Sequence, residues 1–384
     1  MEIILTVLFA IGIVVWLVFL VDALLGLQNL EPLEREEELE PGPLLSVIVA
    51  ARNEEKQIKA SVLSQLKQTY QNVEWILVDD RSTDQTGTIM NELAELDARI
   101  SVIHIENLPK GWLGKNHALY TGALKASGKW LLFTDADVEY QPKSFAKALH
   151  YFERQRLDHL TAAPNLHAKR FWLKTFIAFF LFGFSYYKRP WMANNPKSKI
   201  GTGIGAFNLV RKSAYTAFGT HEKIKMRPDD DLQLGMKLKR AGFRQRIVTA
   251  LPLIEVEWYG SLKEAFTGLE KNTFAGLNYR ISMVFFAIVG VFVTNVLPFI
   301  AVFSGNKTIA LLSLGNIALS GIHYYLIIKR MTVFSPAMFL VLPITALLFI
   351  YSIIRASCLT FKRGGIVWRG TTYRLSELRE KDKA

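Results

Sequence analysis

Hydrophobic positions fall into three regimes along the chain. Residues 3–25 are an almost uncharged apolar run, long enough to cross a bilayer as one helix. No small-residue cleavage site follows, so the run is expected to stay as an anchor. Asp22, near its end, is tolerable at an interface. Residues 31–40 are acidic and are closed by Pro41-Gly42-Pro43, which reads as a solvated linker without chemistry. From 44 to about 256, short apolar runs at 45–50, 75–78, 100–105 and 130–133 alternate with helically spaced stretches at 54–66, 83–96 and 115–126. That alternation predicts an α/β domain with a mainly parallel sheet covered on both faces. Apolar blocks return at 281–303, 308–328 and 333–356, each long enough to span a membrane. Pro298, Pro336 and Pro343 argue against three straight crossings.

The expected organisation is an anchor over 1–27, an acidic linker over 28–43, an α/β domain over 44–278, C-terminal membrane helices over 279–357 and a basic cytoplasmic tail over 358–384. Orientation carries a conflict. If the first helix enters from outside, the α/β domain is cytoplasmic at the plasma membrane. Three simple crossings then leave the basic tail outside, against the positive-inside tendency. The tail fits if one block is re-entrant or lies in the interface. Residues 171–189, rich in aromatics with lysines at both ends, suit either an interfacial helix or a buried domain helix.

Composition narrows the class. Of 384 residues 50% are apolar and 21% charged, which excludes a disordered chain. The single cysteine, Cys358, excludes a disulfide framework and a cysteine-ligated zinc. A net charge of +12 suits nucleic acid, an anionic membrane or a phosphate-bearing substrate. In an anchored chain the last two are expected, with no nucleic acid partner.

Ligands of open α/β sheets bind at the carboxyl ends of the strands. Here those ends carry Ala50-Ala51-Arg52-Asn53-Glu54-Glu55, then Asp79-Asp80-Arg81-Ser82-Thr83-Asp84, then Asp135-Ala136-Asp137. Helix capping suits Thr83 or Asp84. It does not account for Asp135 and Asp137. Carboxylates gathered at one edge repel, and Mg2+ or Mn2+, which prefer oxygen ligands and also hold phosphates, would relieve them. Neither phosphate-binding glycine pattern, G-x-x-x-x-G-K-[ST] or G-x-G-x-x-G, opens the first helix, which disfavours an ATPase or dehydrogenase. The glycines 201, 203 and 205 read as a loop of close approach. The seven histidines show no pairing at metal-ligand spacing.

These motifs together resemble family-2 glycosyltransferases of the GT-A fold. Arg227-Pro228-Asp229-Asp230-Asp231-Leu232, followed by Arg240-Ala241-Gly242-Phe243-Arg244, resembles the family's acidic catalytic motif, with Asp at 230 in place of the usual Glu. Arg81 stands where the family usually has glycine. Residues 111–118, 271–276 and the tail stretch 367–373 are similar to membrane glycosyltransferases of carotenoid and hopanoid pathways, most to the diaponeurosporenoate type. The Gln-x-x-Arg-Trp motif of processive members is absent, against a polysaccharide synthase.

The resemblance implies a GT-A nucleotide-sugar-binding domain. It makes Asp231, beside Asp230, the general base that takes the acceptor's proton. Ala50, Arg52, Glu54, Asp79 and Asp80 would hold base and ribose, Asp135 would contact the ribose, and Asp137 would bind the metal. Lys115 either reaches the diphosphate or is a solvated lysine at a helix start. Trp112 either packs on the sugar or is a lid residue. Gly203 and His221 fall on the acceptor side, and Asp229 reads as the helix cap. The implied reaction is metal-dependent, inverting transfer of a hexose, glucose from UDP-glucose, to a lipophilic acceptor such as a carotenoid or apocarotenoid acid. A hopanoid, glycerolipid or polyprenyl phosphate is the alternative. A non-catalytic nucleotide-sugar-binding scaffold or transport component is the rival from another class.

Overall fold

A computed structural model describes residues 2–39, 41–277, 279–368 and 371–375. Glu40 of the acidic stretch, Arg369 and Gly370 of the tail motif, and the basic tail beyond 375 lie outside these residues. The chain divides into two units. One comprises residues 30–167 and 190–257, and the other residues 1–29, 168–189 and 258–384.

The first unit is built on strands β1 (Leu45–Ala51), β2 (Val73–Asp80), β3 (Ile100–Ile105), β4 (Trp130–Asp135), β5 (Val138–Tyr140), β6 (His159–Ala163), β7 (Asn165–Leu166), β8 (Asn208–Arg211), β9 (Gln245–Thr249) and β10 (Ile254–Val256). Seven of them form one sheet in the order β3-β2-β1-β4-β8-β6-β9. The sheet is parallel except for β8, which runs antiparallel to β4 and β6. Its central strands are apolar on both faces: Val47, Ile48, Val49, Leu77, Val78, Leu131 and Leu132 are all sealed from solvent. That is what a parallel sheet under helices on two sides requires. β5, β10 and β7 make a small second sheet.

The strands at 45–50, 75–78, 100–105 and 130–133 stand where the apolar runs put them, but β2 and β4 run two residues further. Asp79, Asp80 and Asp135 therefore end the strands and do not follow them. The matching helices are Ile58–Leu66, Thr86–Leu96 and Gly114–Lys125.

The acidic stretch differs from a solvated linker. Leu30 and Leu33 are buried, Pro32 bridges to Thr249 on β9, and Glu31 accepts from Arg246 at 2.8 Å. Glu36 pairs with Arg154 and His150, and Glu38 with Lys143. The acidic run meets a basic face of its own unit, so complementarity of charge, with two leucines as anchors, docks it.

The second unit holds the helix Glu2–Leu27 and three further segments long and apolar enough to cross a membrane, 281–301, 307–331 and 336–363. The aromatic helix Phe171–Lys188 belongs to this unit, although it lies inside the range expected for the α/β domain. Asp22 is ion-paired with Arg189. The stretch 271–276 falls in the helix Leu262–Gly276, and in the tail the strands Gly365–Trp368 and Thr371–Arg374 pair antiparallel.

Candidate active site

The rim of the site is made by three neighbouring strand ends. Ala50 on β1 stands level with Val78 on β2 and with Asp135 on β4. Just beyond the strands, Asn53 and Arg81 take left-handed φ values of 56° and 57°. Asn53 Oδ1 accepts from the Thr83 N–H at 2.8 Å, and the Asn53 N–H donates to Ser82 Oγ at 3.0 Å, so the two turns lock together. The Glu54 N–H donates to Thr86 Oγ1.

A left-handed non-glycine residue costs roughly 1–2 kcal/mol. Arg81 returns part of this by forking onto Asp80 with bonds of 2.8 and 3.1 Å. Arg52 lies 3.9 Å from the same carboxylate. Asp79 accepts the Ser82 N–H at 3.1 Å and lies 3.2 Å from His104 Nδ1. At Gly114, opening the helix Gly114–Lys125, a Cβ would overlap Asp80 Oδ2, so a larger residue there would push the Asp80 carboxylate aside.

Lys115 stands between two carboxylate groups, 2.7 Å from Asp135 Oδ1 and 3.4 Å from Asp230 Oδ2. Burial opposes its charge, but Asp135, Asp230 and Asp231 outweigh burial and hold the ammonium well above the ordinary lysine range. It is a bridging cation, not a solvated helix-start lysine.

Asp231, one residue into the helix Asp230–Arg240, is fixed by two backbone donors. The Gly205 N–H reaches Oδ2 and the Leu232 N–H reaches Oδ1, both at 2.7 Å. The Gly205 carbonyl in turn accepts from the Asp135 N–H at 3.0 Å. Burial, then the neighbouring Asp230 charge, pushes the Asp231 carboxyl up to about 7, against the pull of Lys115. A Cβ on Gly203 would overlap the Asp231 carbonyl oxygen, and one on Gly205 the Asp135 carboxylate. This glycine loop thus lets the helix carrying the aspartates lie directly on the end of β4.

His221 lines the same pocket as Lys115, Asp135, Asp230 and Asp231. Its Nδ1 is 2.7 Å from the Tyr215 hydroxyl and its ring meets Phe133 edge-on. Burial, then Lys115, pushes it down to about 3, so it is neutral. Asp229 occupies the helix N-cap position, yet its side chain makes no capping bond and goes to Arg227 and Gln233. Trp112 packs on His117 and Tyr120 of the helix that follows it, with Lys225 over its ring. It is not among the residues lining the pocket. Gly205 is the residue the sequence reading missed, although the Gly-x-Gly-x-Gly spacing marked its loop.

The residues present suit one hard cation. Asp137 is pushed up to about 7 by burial first, then by the charges of Asp135 and Glu54. A positive charge there would restore its ionised form. Among the described residues no three acidic or histidine side chains gather as an all-protein cage. An ion held by one or two carboxylates and completed by phosphates and water would need no such cage.

Residues 46–218 match the family model for glycosyl transferase family 2. The chain therefore carries a family-2 glycosyltransferase domain, of the GT-A fold expected from its motifs. The match covers the ends of β1, β2 and β4 and stops short of Asp230 and Asp231. The fold is also that of a mannosyltransferase from Pyrobaculum calidifontis, solved with GDP-Man and Mn2+, with a TM-score of 0.52 over 92% of this chain and 98% of the other. At 16% identity that likeness concerns fold alone. A 4,4'-diaponeurosporenoate glycosyltransferase of Staphylococcus haemolyticus is 33% identical over 35% of this chain and 35% of its own. An Escherichia coli glucosyltransferase that acts on GlcNAc-diphosphoundecaprenol with UDP-Glc is 37% identical over 30% of this chain and 43% of its own. The aligned stretch spans less than half of either relative.

Proposed function

We propose that the chain is a membrane-bound, inverting glycosyltransferase moving a hexose, glucose from UDP-glucose, to a lipophilic acceptor of the carotenoid-acid class, from the cytoplasmic side of the plasma membrane. The observation that carries the reading is Asp231: a buried carboxylate clamped by two backbone N–H groups, lining one pocket with Lys115 and Asp135, where burial and the Asp230 charge hold it above the usual carboxylate range. A base poised near neutral pH is suited to take a proton from an acceptor hydroxyl as the glycosidic bond forms, whereas an acceptor carboxyl arrives ionised and needs none. One base and direct displacement give inversion at the anomeric carbon.

Asp137 would hold Mg2+ or Mn2+, which when bound would neutralise charge on the departing diphosphate. Arg52 and the rim residues Asp79, Asp80 and Glu54 would seat the nucleoside, and Lys115 would exchange Asp135 for a phosphate oxygen. The carotenoid-type acceptor is supported by the diaponeurosporenoate relative. A polyprenyl-linked acceptor is the second reading, favoured by the undecaprenol-dependent relative. Membranes containing the chain, incubated with radiolabelled UDP-glucose and divalent cation, are expected to put label into the organic phase. Retention of full transfer in excess chelator would remove the metal from the scheme. Label entering with GDP-mannose but not UDP-glucose would replace the donor.

A further inference from the structure

The three C-terminal apolar segments are each long and apolar enough to cross a membrane, yet the packing within their unit separates them. The helices Glu2–Leu27 and Lys307–Met331 run parallel. The Phe9 carbonyl accepts from Asn316 Nδ2 at 2.9 Å, Ile13 sits on Gly315, and the Trp16 ring lies 5.9 Å from His323. Lys329 and Arg330 are therefore level with the end of the first helix, where the chain leaves at Leu27.

The segment 281–301 runs the other way. Leu297 and Ala301 pack with Phe9, Ile309 and Leu312 in the half of the bundle away from Met331, and Asn295 lies beside Tyr186, whose ring packs on Trp16 and Phe19. Read backwards, this segment climbs toward the side of Met331, where Ile281 begins.

The last segment, 336–363, leaves from that same side. Its first turns carry Phe339 against Gly321, Tyr324 and Phe299. Gly321 lies ten residues before Met331, or about 15 Å at 1.5 Å per residue. The far end of the segment is beside the residues that precede Ile281. Phe361 packs on Phe274, which packs on Tyr279, and Arg355 and Arg363 both bind Glu270. Both ends thus lie on the side of Met331, with the tip at Phe339 between.

We propose that the segment 336–363 is re-entrant: it dips into the bilayer to the depth of Phe339 and returns, while Glu2–Leu27, 281–301 and 307–331 cross. Lys329, Arg330, Lys362 and Arg363 then share one face, where clustered cations suit the anionic headgroups of a single leaflet. The conflict between three crossings and a basic tail disappears. The proposal goes beyond the reaction and stands whatever the acceptor is.

In a Cys358→Ser chain, single cysteines at Gln28, Ser304 and Lys362, all exposed positions, can be labelled with a membrane-impermeant maleimide in sealed cells and after permeabilisation. Gln28→Cys and Lys362→Cys are expected to react in the same preparation, and Ser304→Cys in the opposite one. Labelling of Lys362→Cys together with Ser304→Cys would make 336–363 a full crossing and overturn the proposal. Trypsin cleavage of the unmodified chain in sealed vesicles of each orientation gives the same answer without substitution. Cleavage after Lys307 and after Arg363 is expected in opposite preparations, and cleavage of both in one would refute the dip.

Discussion

Asp231 is held by two backbone N–H groups that favour its ionised form, and it is surrounded by Asp230, Asp135 and burial that disfavour it. Burial and like charge win, and the carboxyl rises to about 7. The consequence for rate has a definite sign. A base acts only when deprotonated, so transfer should climb with pH through about 7 and fall tenfold per unit below it. An acid limb near the ordinary carboxylate range would place the base elsewhere; kcat/KM from pH 5 to 9, which reports the unliganded chain, decides it.

Substitutions should separate two roles. Asp231→Asn is expected to keep donor affinity and lose turnover by about 10²-fold or more, whereas Asp137→Asn should lose donor affinity as well. Donor titration by calorimetry beside labelled transfer reads both. Normal turnover in Asp231→Asn with a dead Asp230→Asn would move the base by one residue.

At the scale of elements, the close approach of the glycine loop to the helix Asp230–Arg240 reverses a common rule. Glycine within a helix usually gives way to alanine with a gain near 1 kcal/mol. At Gly235 a Cβ would overlap the Thr202 carbonyl oxygen, so Gly235→Ala should destabilise by about 1–3 kcal/mol and lower the thermal inactivation midpoint.

The same unit hides a polar seam that explains which strands the sequence left unread. β1 to β4 are continuous apolar runs and announce themselves. β6, β8 and β9 carry buried His159, Thr161, Asn208 and Gln245, which break the apolar signal. His159 Nε2 meets Asn208 Oδ1 at 3.0 Å and its Nδ1 meets Gln245 at 2.6 Å, so the three strands satisfy one another's polar groups only after they have come together. No local pattern encodes such a pairing. Strand-end aspartates, by contrast, stood out in the sequence because carboxylates beside buried runs need partners, which Arg81, the Ser82 N–H and Lys115 supply. Gly205 did not, because its contribution is a backbone N–H that any residue carries.

Burial pushes His159 down from 6.5 to about 4. The unfolded chain then binds the extra proton between these values, so stability is fully present above pH 6.5 and is lost as pH falls toward 4. At pH 5 the loss is about 2 kcal/mol. Inactivation midpoints measured at pH 7.5 and 5 should differ in that direction, and His159→Gln should shrink the difference.

For the whole molecule, the α/β unit shares its chain with a second unit assembled from both ends of the sequence and from residues 168–189, which holds the helices long and apolar enough to cross a membrane. Carbonate washing should leave the protein in the membrane fraction, and deleting residues 2–29 should not release it, since the segments 281–301 and 307–331 still anchor it. Release by the wash would mean that these helices are buried in protein and not in lipid.

The central claim is sugar transfer to a lipid by Asp231. Lipid extracts from cells expressing the wild-type chain, Asp231→Asn or no chain, compared by mass spectrometry, test it most directly. A hexosylated lipid present with the wild-type chain alone, at equal protein levels in the membrane, is the expected result. The same glycolipid made at wild-type levels by Asp231→Asn, or no new glycolipid from an active donor-hydrolysing chain, would contradict it.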